Sequence, residues 1–406
     1  MDDELRKRWG VGVSWEGVLR QLYSGICLCR LKGEFFQEAI VAEAPIGVAV
    51  VGTGFGQKVH IPGLQAHHRT QIVAVYDRNL EKARAIATQH NIPHPCDDFA
   101  ALLSNPEVQA VTIATPPFLH YEMAQAALEA NHHVLLEKPT TLNAQEAQHL
   151  ADLSRQQQRI TVVDFEFRFV PAWQRLQELL QEGYVGQPRF VKVDWLVPGR
   201  ANPQRPWNWY ARKDQGGGAL GAFASHTFDY IHWLFGPIQR LCGQLYTAIP
   251  QRPDPVSGEL RPVDSDDTCS LILEMAAGFP CQVAISSVTY SGRGHWVEVY
   301  GDKGTLVLGS DNLKDYVHGF RLLGSQGSDP LTEMVIPDRL DFPQVYPDGR
   351  IAPFIRVVDH WLRMIDAGVP QAPSIQEGIY SQMLMDLTHQ ASATGTWVMV
   401  PEKFSK

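Results

Sequence analysis

Apolar and polar residues follow two alternating patterns along residues 46–167. Short runs that are apolar throughout are typical of strands buried on both faces, and the amphipathic stretches between them are typical of helices. The runs are IGVAVVG, QIVAVYD, AVTIAT, HVLLEKP and ITVVDFEF, and the stretches between them include NLEKARAIATQH and HYEMAQAALEAN. This alternation predicts βαβ units and a parallel sheet. Right-handed crossovers would then place the loops that follow the strands along one edge of that sheet.

The pattern changes near residue 166. PAWQRLQELLQEG predicts an amphipathic helix, and longer alternating runs after it predict antiparallel strands. Those runs are RFVKVDWLV, TCSLILEM, CQVAISSV and WVEVYGDKGTLVL, with GDKG as a hairpin turn. Residues 310–350 are rich in Gly, Pro and Asp and predict an irregular loop, and two helices ended by glycine close the chain.

These patterns predict an α/β protein of two domains, with boundaries at residues 45–166 and 167–406. Residues 1–44 do not share either pattern and are interpreted as an N-terminal extension of unknown role. A chain of 406 residues is long for one domain and sufficient for two.

Charge and cysteine usage narrow the class of protein. The net charge of −9 and the pI of about 5.9 argue against nucleic acid or an anionic membrane as the main partner, because both favour a basic face. No apolar run has the length of a membrane span, and the N-terminus, MDDELRKRWG, does not resemble a secretory signal. The six cysteines show no zinc-site spacing and are interpreted as reduced thiols. We therefore expect a cytoplasmic protein.

A glycine loop, defined here as Gly52–Gly56, follows the first predicted strand in VVGTGFG. Glycine at such a turn lets backbone amides approach a pyrophosphate at a helix N-terminus, although the spacing here is GxGxG rather than GxGxxG. Asp77 closes the second strand and can accept hydrogen bonds from the adenosine ribose. Its carboxylate favours NAD, whereas the adjacent Arg78 suits the 2′-phosphate of NADP, so both cofactors stay open.

Lys138 follows a predicted strand in LLEKPTT, on the predicted binding edge. An ammonium beside a substrate hydroxyl can relay its proton, particularly where burial lowers its pKa. The alternative is a surface lysine in a loop, which is the usual place for this residue type.

Five segments occur in a characteristic order: VVGTGFG, ATPPFLHYEMAQAALEANHHVLLEKP, FEFRFVPAW, GGGALGAFASHTFDYIHWLFG and VEVYGDKGTLVL. Together they resemble the Gfo/Idh/MocA family, the glucose–fructose oxidoreductase and inositol dehydrogenase group, over about residues 46–400. The resemblance implies an N-terminal Rossmann domain and then an α/β domain with a large, mostly antiparallel sheet. It also implies oxidation or reduction of a sugar, cyclitol or related polyol with NAD or NADP, and a homo-oligomer, either dimer or tetramer.

The resemblance also implies which residues contact the cofactor. The pyrophosphate would lie against Gly52, Thr53, Gly54, Phe55 and Gly56, and the adenosine ribose against Asp77 and Arg78. The nicotinamide half would lie along Thr115, Pro116, His120, Glu137 and Lys138.

At the substrate, the resemblance implies that Lys138 and His226 are the catalytic residues and that Arg168 sits near the pocket. The sequence departs from the family at Ala222, because well-studied members carry an aspartate four residues before the histidine. Asp229 is a candidate substitute for that aspartate. Glu166 stands where many relatives carry a substrate-binding asparagine, which suggests that a carboxylate has moved to another wall of the pocket. Lys138 would then carry the proton transfer while His226 binds the substrate hydroxyl.

Other residues have weaker signals. Trp207 and Trp209 can shape the pocket mouth or pack between domains. DSDD, residues 264–267, is interpreted as a solvated strand entrance. The histidine pairs at 67–68 and 132–133 lack a third ligand at useful spacing, so no metal site is expected.

Two further functions stay open beside the dehydrogenase. One is a dinucleotide-binding sensor or structural relative that has lost catalysis with the aspartate. The other keeps its cofactor bound and uses transient oxidation for glycosidic cleavage or epimerisation.

Overall fold

The computed structural model of the chain describes residues 44–404, so all of the predicted N-terminal extension except Ala44 lies outside the described residues. The first sheet has six parallel strands in the order β3-β2-β1-β4-β5-β6. Their bounds are β1 Ile46–Val51, β2 Thr70–Tyr76, β3 His94–Cys96, β4 Ala110–Ile113, β5 His133–Leu136 and β6 Thr161–Val163. This sheet order confirms the predicted parallel α/β arrangement, with β1 and β4 as neighbours at the point where the strand order reverses.

Helices cover both faces of the parallel sheet, because its strands carry apolar residues on both faces and must be buried on both. They are α1 Ile61–Ala66, α2 Leu80–His90, α3 Phe99–Leu103, α4 His120–Glu129 and α5 Ala144–Gln156. A π-helical turn, Gly56–His60, leads directly from the glycine loop into α1. Asn79, Asp98 and Asn143 cap α2, α3 and α5 by accepting a backbone N–H with the side chain, which fixes where each helix begins.

The remaining strands form a second large sheet and a small hairpin. Their bounds are β7 Pro188–Leu196, β8 Ile238–Tyr246, β9 Gln251–Pro253, β10 Leu260–Pro262, β11 Thr268–Met275, β12 Pro280–Ser286, β13 Gly294–Gly301, β14 Gly304–Ser310, β15 Arg321–Gln326, β16 Thr332–Glu333 and β17 Val398–Met399. Within residues 44–404 this sheet has nine strands in the order β16-β15-β14-β13-β7-β12-β11-β8-β17. Only β7 and β12 pair in parallel, which confirms the mostly antiparallel sheet.

The stretch predicted to be an irregular loop, residues 310–350, contains more structure than expected. It holds a short helix, α8 Tyr316–Gly319, and the strands β15 and β16. The loop prediction is wrong for these residues because β15 pairs along β14, and those long-range backbone hydrogen bonds outweigh the local glycine and proline content.

Four helices follow or flank the second sheet: α6 Pro171–Gln181, α7 Ser225–Phe235, α9 Ile351–Ala367 and α10 Ile375–Thr394. Helices α6 and α7 pack on the second sheet. Phe354 and Trp361 of α9 instead pack in the core of the parallel sheet. Along α10, Ile379 belongs to the core of the parallel sheet and Leu384 to that of the second sheet, so this helix is buried between them. Among the described residues, none of the helices is both long and apolar enough to span a membrane.

A buried ion pair joins the turn after β6 to α7. The Arg168 guanidinium donates from Nε to Oδ2 of Asp229 at 2.9 Å and from Nη2 to Oδ1 at 2.6 Å. Both side chains are buried, at 7% and 2% exposure. Burial raises the pKa of Asp229 to about 6, and the guanidinium opposes that shift.

This pairing corrects two expectations from the sequence. Asp229 is bound by Arg168 and does not replace the missing aspartate as a partner of His226. Arg168 is directed into this pair rather than left available to a substrate, because a buried guanidinium needs a counter-charge. The pair therefore fixes the position of the β6 turn relative to the helix that carries His226.

We predict that Asp229→Asn lowers the free energy of unfolding by about 3–5 kcal/mol, because it leaves the Arg168 charge buried without its partner. Urea denaturation measures the change. The matched control is Asp152→Asn, which breaks an exposed pair with Arg155 and should cost less than about 1 kcal/mol. Equal losses in the two variants would contradict the structural role of the Arg168–Asp229 pair.

Candidate active site

The glycine loop has the backbone geometry and the open space that a bound pyrophosphate requires. Gly52 has φ of +95°, and a Cβ at this position would lie 2.6 Å from the carbonyl oxygen of Ala114. A Cβ on Gly54 would instead have no described atom within 4 Å. The loop thus packs against the end of β4 at Gly52 and presents open backbone at Gly54, so its residues fit a dinucleotide.

Asp77 lies at the end of β2, next to the glycine loop. Its carboxylate accepts hydrogen bonds from the Thr53 hydroxyl, from the Asn79 backbone N–H at 2.9 Å and from Lys82 Nζ at 3.0 Å. Burial opposes ionisation, but these donors together hold the pKa of Asp77 below its ordinary value. Arg78 is exposed. The sequence prediction missed Lys82, although a lysine in the first turn of the following helix is within reach of that carboxylate.

His120 holds together the loops that follow β4 and β5. Its Nδ1 lies 2.8 Å from the Pro139 carbonyl oxygen, and its Nε2 lies 2.9 Å from the Thr115 carbonyl oxygen. The ring is fully buried, and this burial lowers its pKa. The sequence predicts His120 along the nicotinamide half of the cofactor, whereas the structure places it beneath the two loops, where it fixes the positions of Thr115 and Lys138.

A cavity of about 150 Å³ opens beside the glycine loop, and we call it the Lys138 cavity. Its lining residues come from the glycine loop, the loops after β4 and β5 and the segment before α7: Phe55, Ala114, Thr115, Pro117, Glu137, Lys138, Pro139, Trp209, Gly216 and Ala222. The glycine loop and the candidate catalytic lysine therefore line the same cavity. Ala222 lies on its wall, so the position of the absent aspartate faces the same space as Lys138.

The two tryptophans of the segment 205–215 have different surroundings. Trp209 lines the Lys138 cavity. Trp207 instead donates from its indole nitrogen to the Pro262 carbonyl oxygen at 2.9 Å, and the Arg261 guanidinium lies 3.7 Å from its ring centre. Trp207 therefore packs on the β9–β10 hairpin, a contact that the sequence pattern did not indicate, and its role at the pocket mouth stays a prediction.

Ala222 and His226 lie on one helical segment, because a π-helical turn, Leu220–Ala224, runs directly into α7. The start of this segment is anchored by Asp266, whose carboxylate accepts the Leu220 backbone N–H at 2.8 Å. Asp266 and Asp267 are buried. The interpretation of DSDD as a solvated strand entrance is therefore wrong for these two carboxylates, which bind backbone N–H groups in the interior.

His226 is buried and stands among aromatic rings, with the Phe167 ring edge-on at a centroid distance of 4.9 Å. Its Nδ1 has no hydrogen-bond partner among the described residues. Burial, and after it the charges of Lys138 and His295, place the pKa of His226 well below its ordinary value. At neutral pH the imidazole is therefore uncharged.

Glu137 belongs to a buried chain of acidic and basic groups. Its carboxylate lies 3.0 Å from His60 Nε2 and shares a hydrogen bond with the carboxyl of Asp164. Although burial favours the neutral acid, the contact with His60 lowers the pKa of Glu137. Burial and the charges of Glu137 and Glu166 raise the pKa of Asp164 well above its ordinary value, so Asp164 carries the proton of this pair.

The ligand-type atoms of His60, Glu137 and Asp164 lie within 4.8 Å of one another. The hydrogen bonds between them account for these contacts without an ion. The sequence prediction assigned Glu137 to the nicotinamide ribose and did not include His60 or Asp164. Strand pairing explains Asp164: Leu136 of β5 lies opposite Val163 of β6, so the residues after each strand lie side by side.

Glu166 lies on the same edge, two residues after Asp164, and is buried at 3% exposure. The Tyr316 hydroxyl donates to its Oε1 at 2.9 Å, while Oε2 is buried without a partner among the described residues. Burial, and then the charge of Glu137, raise the pKa of Glu166 to about 7, against the opposing effects of Tyr316 and Arg350. The sequence did not indicate Tyr316, because it lies in the segment predicted to be an irregular loop.

Comparison with family models places this site in context. Residues 46–165 match the Gfo/Idh/MocA model described as an oxidoreductase family with an NAD-binding Rossmann fold. Residues 177–400 match the C-terminal alpha/beta domain of the same family. The two matches together cover most of the described chain.

Individual relatives agree with the family models. An uncharacterized oxidoreductase of Synechocystis is 56% identical over 356 residues, which cover 87% of this chain and 96% of that protein. Levoglucosan dehydrogenase of Pseudarthrobacter phenanthrenivorans is 26% identical over 398 residues, with coverage of 88% and 98%. A solved structure of levoglucosan dehydrogenase in complex with NADH and L-sorbose shares the fold with a TM-score of 0.79 at 24% identity, covering 88% of this chain and 99% of that one.

We predict different effects for alanine at two positions of the glycine loop. Gly52→Ala should lower the free energy of unfolding by about 1–3 kcal/mol, because a side chain is strained at this φ and meets Ala114. Gly54→Ala should leave the melting temperature unchanged yet weaken NADH binding by about tenfold or more, because the added methyl occupies the space of the pyrophosphate. Thermal unfolding and NADH fluorescence titration measure the two effects. Unchanged NADH affinity in Gly54→Ala would place the dinucleotide elsewhere.

Proposed function

Because the chain belongs to the Gfo/Idh/MocA family of oxidoreductases, we propose that it is an NAD-dependent dehydrogenase that oxidises a hydroxyl of a sugar or polyol, or reduces the matching ketone. The observation that carries this proposal is the Lys138 cavity, in which Phe55 of the glycine loop and Lys138 face the same space. The names of the similar proteins point to carbohydrate substrates, since levoglucosan dehydrogenase is among them.

The geometry of the glycine loop and of the end of β2 indicates which residues would bind the cofactor. The backbone of Gly52–Gly56 would hold the pyrophosphate, and the Asp77 carboxylate would bind the adenosine ribose. A nicotinamide dinucleotide held there supplies the acceptor or donor of a hydride. NAD fits better than NADP because Asp77 is held ionised by three donors and would repel a 2′-phosphate.

At the substrate, the chain supplies orientation and proton transfer. Lys138 reaches the substrate hydroxyl from the wall of the cavity and relays its proton. His226 forms one hydrogen bond with the substrate hydroxyl and holds it near Lys138, the role that the family resemblance implies for this histidine. His226 is uncharged at neutral pH, so it positions the hydroxyl rather than providing a positive charge.

We predict that Lys138→Met lowers kcat by about 10²–10⁴-fold, the usual contribution of a positioned proton-transfer group, while NADH binding changes little. The test follows the absorbance of reduced nicotinamide with NAD or NADP and a panel of sugars, including levoglucosan, cyclitols and sugar acids. Lys303→Met, in the exposed turn between β13 and β14, is the matched control and should keep full activity.

The same panel separates the competing functions. A wild-type protein that binds NADH but turns over nothing would favour a sensor. Product formed without net change in reduced nicotinamide would indicate a retained cofactor used for cleavage or epimerisation.

We predict that Asp77→Ser weakens NADH binding and strengthens NADPH binding, each by about tenfold. The substitution removes the ribose acceptor and frees Lys82 for the 2′-phosphate. Fluorescence titration of both reduced cofactors measures the change. Glu81→Gln is the control, because it alters an exposed carboxylate of α2, the helix that also carries Lys82. An unaltered ratio of the two affinities in Asp77→Ser would contradict the assignment of Asp77 to the ribose.

A further inference from the structure

A proton relay through Lys138 needs a group that receives the proton. Lysine is ordinarily an ammonium at neutral pH, so it accepts the substrate proton only as it gives up one of its own. The lining of the Lys138 cavity offers two candidate positions, Glu137 and Ala222. Ala222 has no acidic group, and Glu137 is already bound to His60 and Asp164. The receiving group therefore lies elsewhere on the edge formed by β5 and β6.

Two carboxyl oxygens on that edge have no partner among the described residues, Asp164 Oδ1 and Glu166 Oε2, but Asp164 already carries a proton, which leaves Glu166 as the acceptor. The pairing of Leu136 with Val163 places the turn after β6 next to the turn after β5, and the charge of Lys138 acts on the Glu166 carboxyl. Glu166 Oε1 is held by the Tyr316 hydroxyl at 2.9 Å, whereas Oε2 is buried and has no partner among the described residues. A buried carboxylate oxygen without a donor is costly, so this position is suited to a proton that arrives during the reaction.

We propose that Glu166 is the proton acceptor behind Lys138, and that Tyr316 positions it. This inference rests on the proposed dehydrogenase function. In the oxidation direction, the substrate O–H bond breaks and its proton bonds to Lys138 Nζ, while a proton of Lys138 passes to Glu166 Oε2. No ion pair joins Lys138 to Glu166 among the described residues, so the lysine side chain has to move towards Oε2 for this transfer. The electron pair of the O–H bond stays on the substrate oxygen, and the hydride leaves the carbinol carbon for the nicotinamide dinucleotide, so that a C=O bond forms. Reduction of the ketone runs through the same groups in reverse.

The groups around Glu166 have distinct states of protonation. The titratable and charged groups that act on Glu166 come from its own segment, the β5 loop, α8 and the start of α9: Asp164, Glu137, Lys138, Tyr316 and Arg350. Asp164 already carries a proton, and Glu137 is held ionised by its partners. Arg350 is bound by Asp348, from Nη2 to Oδ2, at 2.6 Å. Glu166, with a pKa raised to about 7 by burial, can both accept and release a proton near neutral pH.

The direction of the pH dependence follows from this role. Glu166 must be ionised to accept a proton, so the rate of oxidation should fall as the pH drops below about 7. The Tyr316 hydrogen bond lowers the pKa of Glu166. Tyr316→Phe should therefore raise that pKa and move the acid limb of the oxidation profile to higher pH.

The experiment compares the wild type with Glu166→Gln, Glu166→Asp and Tyr316→Phe in the full-length protein. We expect Glu166→Gln to lower kcat for oxidation about a hundredfold and to abolish the acid limb. Glu166→Asp keeps a carboxylate, so it should retain part of the wild-type rate and should still show the acid limb of the pH profile. Tyr316→Phe should shift the limb upward.

A second measurement does not depend on turnover. Carbon-13 labelling of glutamate carboxyls and NMR titration should show one resonance that titrates near pH 7 in the wild type, is lost in Glu166→Gln and moves to higher pH in Tyr316→Phe. The chemical shifts of the other carboxyls serve as a control for intact folding.

The outcomes distinguish the proposed role of Glu166 from the proposed dehydrogenase function. A Glu166 resonance that titrates in the ordinary range of glutamate, or a Glu166→Gln variant with full activity and an unchanged acid limb, would overturn the role of Glu166 and leave the dehydrogenase intact. A wild type that turns over no member of the panel would contradict the dehydrogenase itself, and with it the relay that serves that reaction.

Discussion

The site depends on the register of parallel strands in the first sheet. Strands β1, β4, β5 and β6 are neighbours and end at the same edge, so the residues that follow each strand must lie beside one another. That single constraint brings the glycine loop, Thr115, Lys138 and Glu166 together from segments more than a hundred residues apart in the chain. Because the strands are buried on both faces, the polar groups at this edge are only partly hydrated and must find partners within the protein.

Burial at this edge gives chemically similar carboxyl groups different protonation states. Glu137 is held ionised by His60, Asp164 keeps its proton, and Glu166 lies between the two with a pKa of about 7. These differences do not come from the functional group, since all three side chains are carboxylic acids that lie within three residues of the end of a strand. They come from the balance of burial, neighbouring charges and hydrogen-bond donors around each group, which is the usual way in which one site separates the roles of acid and base.

Local signals made part of the site predictable from the sequence. The glycine loop, Asp77 and Lys138 each follow an apolar run directly, so the strand pattern alone locates them at the carboxyl edge. The contacts of Arg168, Trp207 and Tyr316 could not be derived in this way. They join residues 61, 55 and 150 positions apart, and their partners are chosen by the packing of helices and hairpins that periodicity does not orient.

The same reasoning explains why the roles predicted for Asp229 and His120 changed. Each occupies a position that a sequence motif can identify, but a buried polar side chain binds the strongest partner within reach. For Asp229 that partner is a guanidinium, and for His120 it is a pair of loop carbonyls.

An alanine at position 222, where the resembling family carries an aspartate, is compatible with the proposed proton transfer. In the resembling family, an aspartate stands four residues before the histidine, at the position of Ala222. Here the wall carries the methyl group of Ala222, and the carboxylate that we propose as the proton acceptor, Glu166, is buried with an exposure of only 3%. On this proposal Lys138 still contacts the substrate at the cavity wall, but the carboxylate that finally receives the proton need not stand on that wall. An alanine at this wall position is therefore compatible with the proposed reaction, because Lys138 remains in the cavity and the proposed proton acceptor lies at the strand edge.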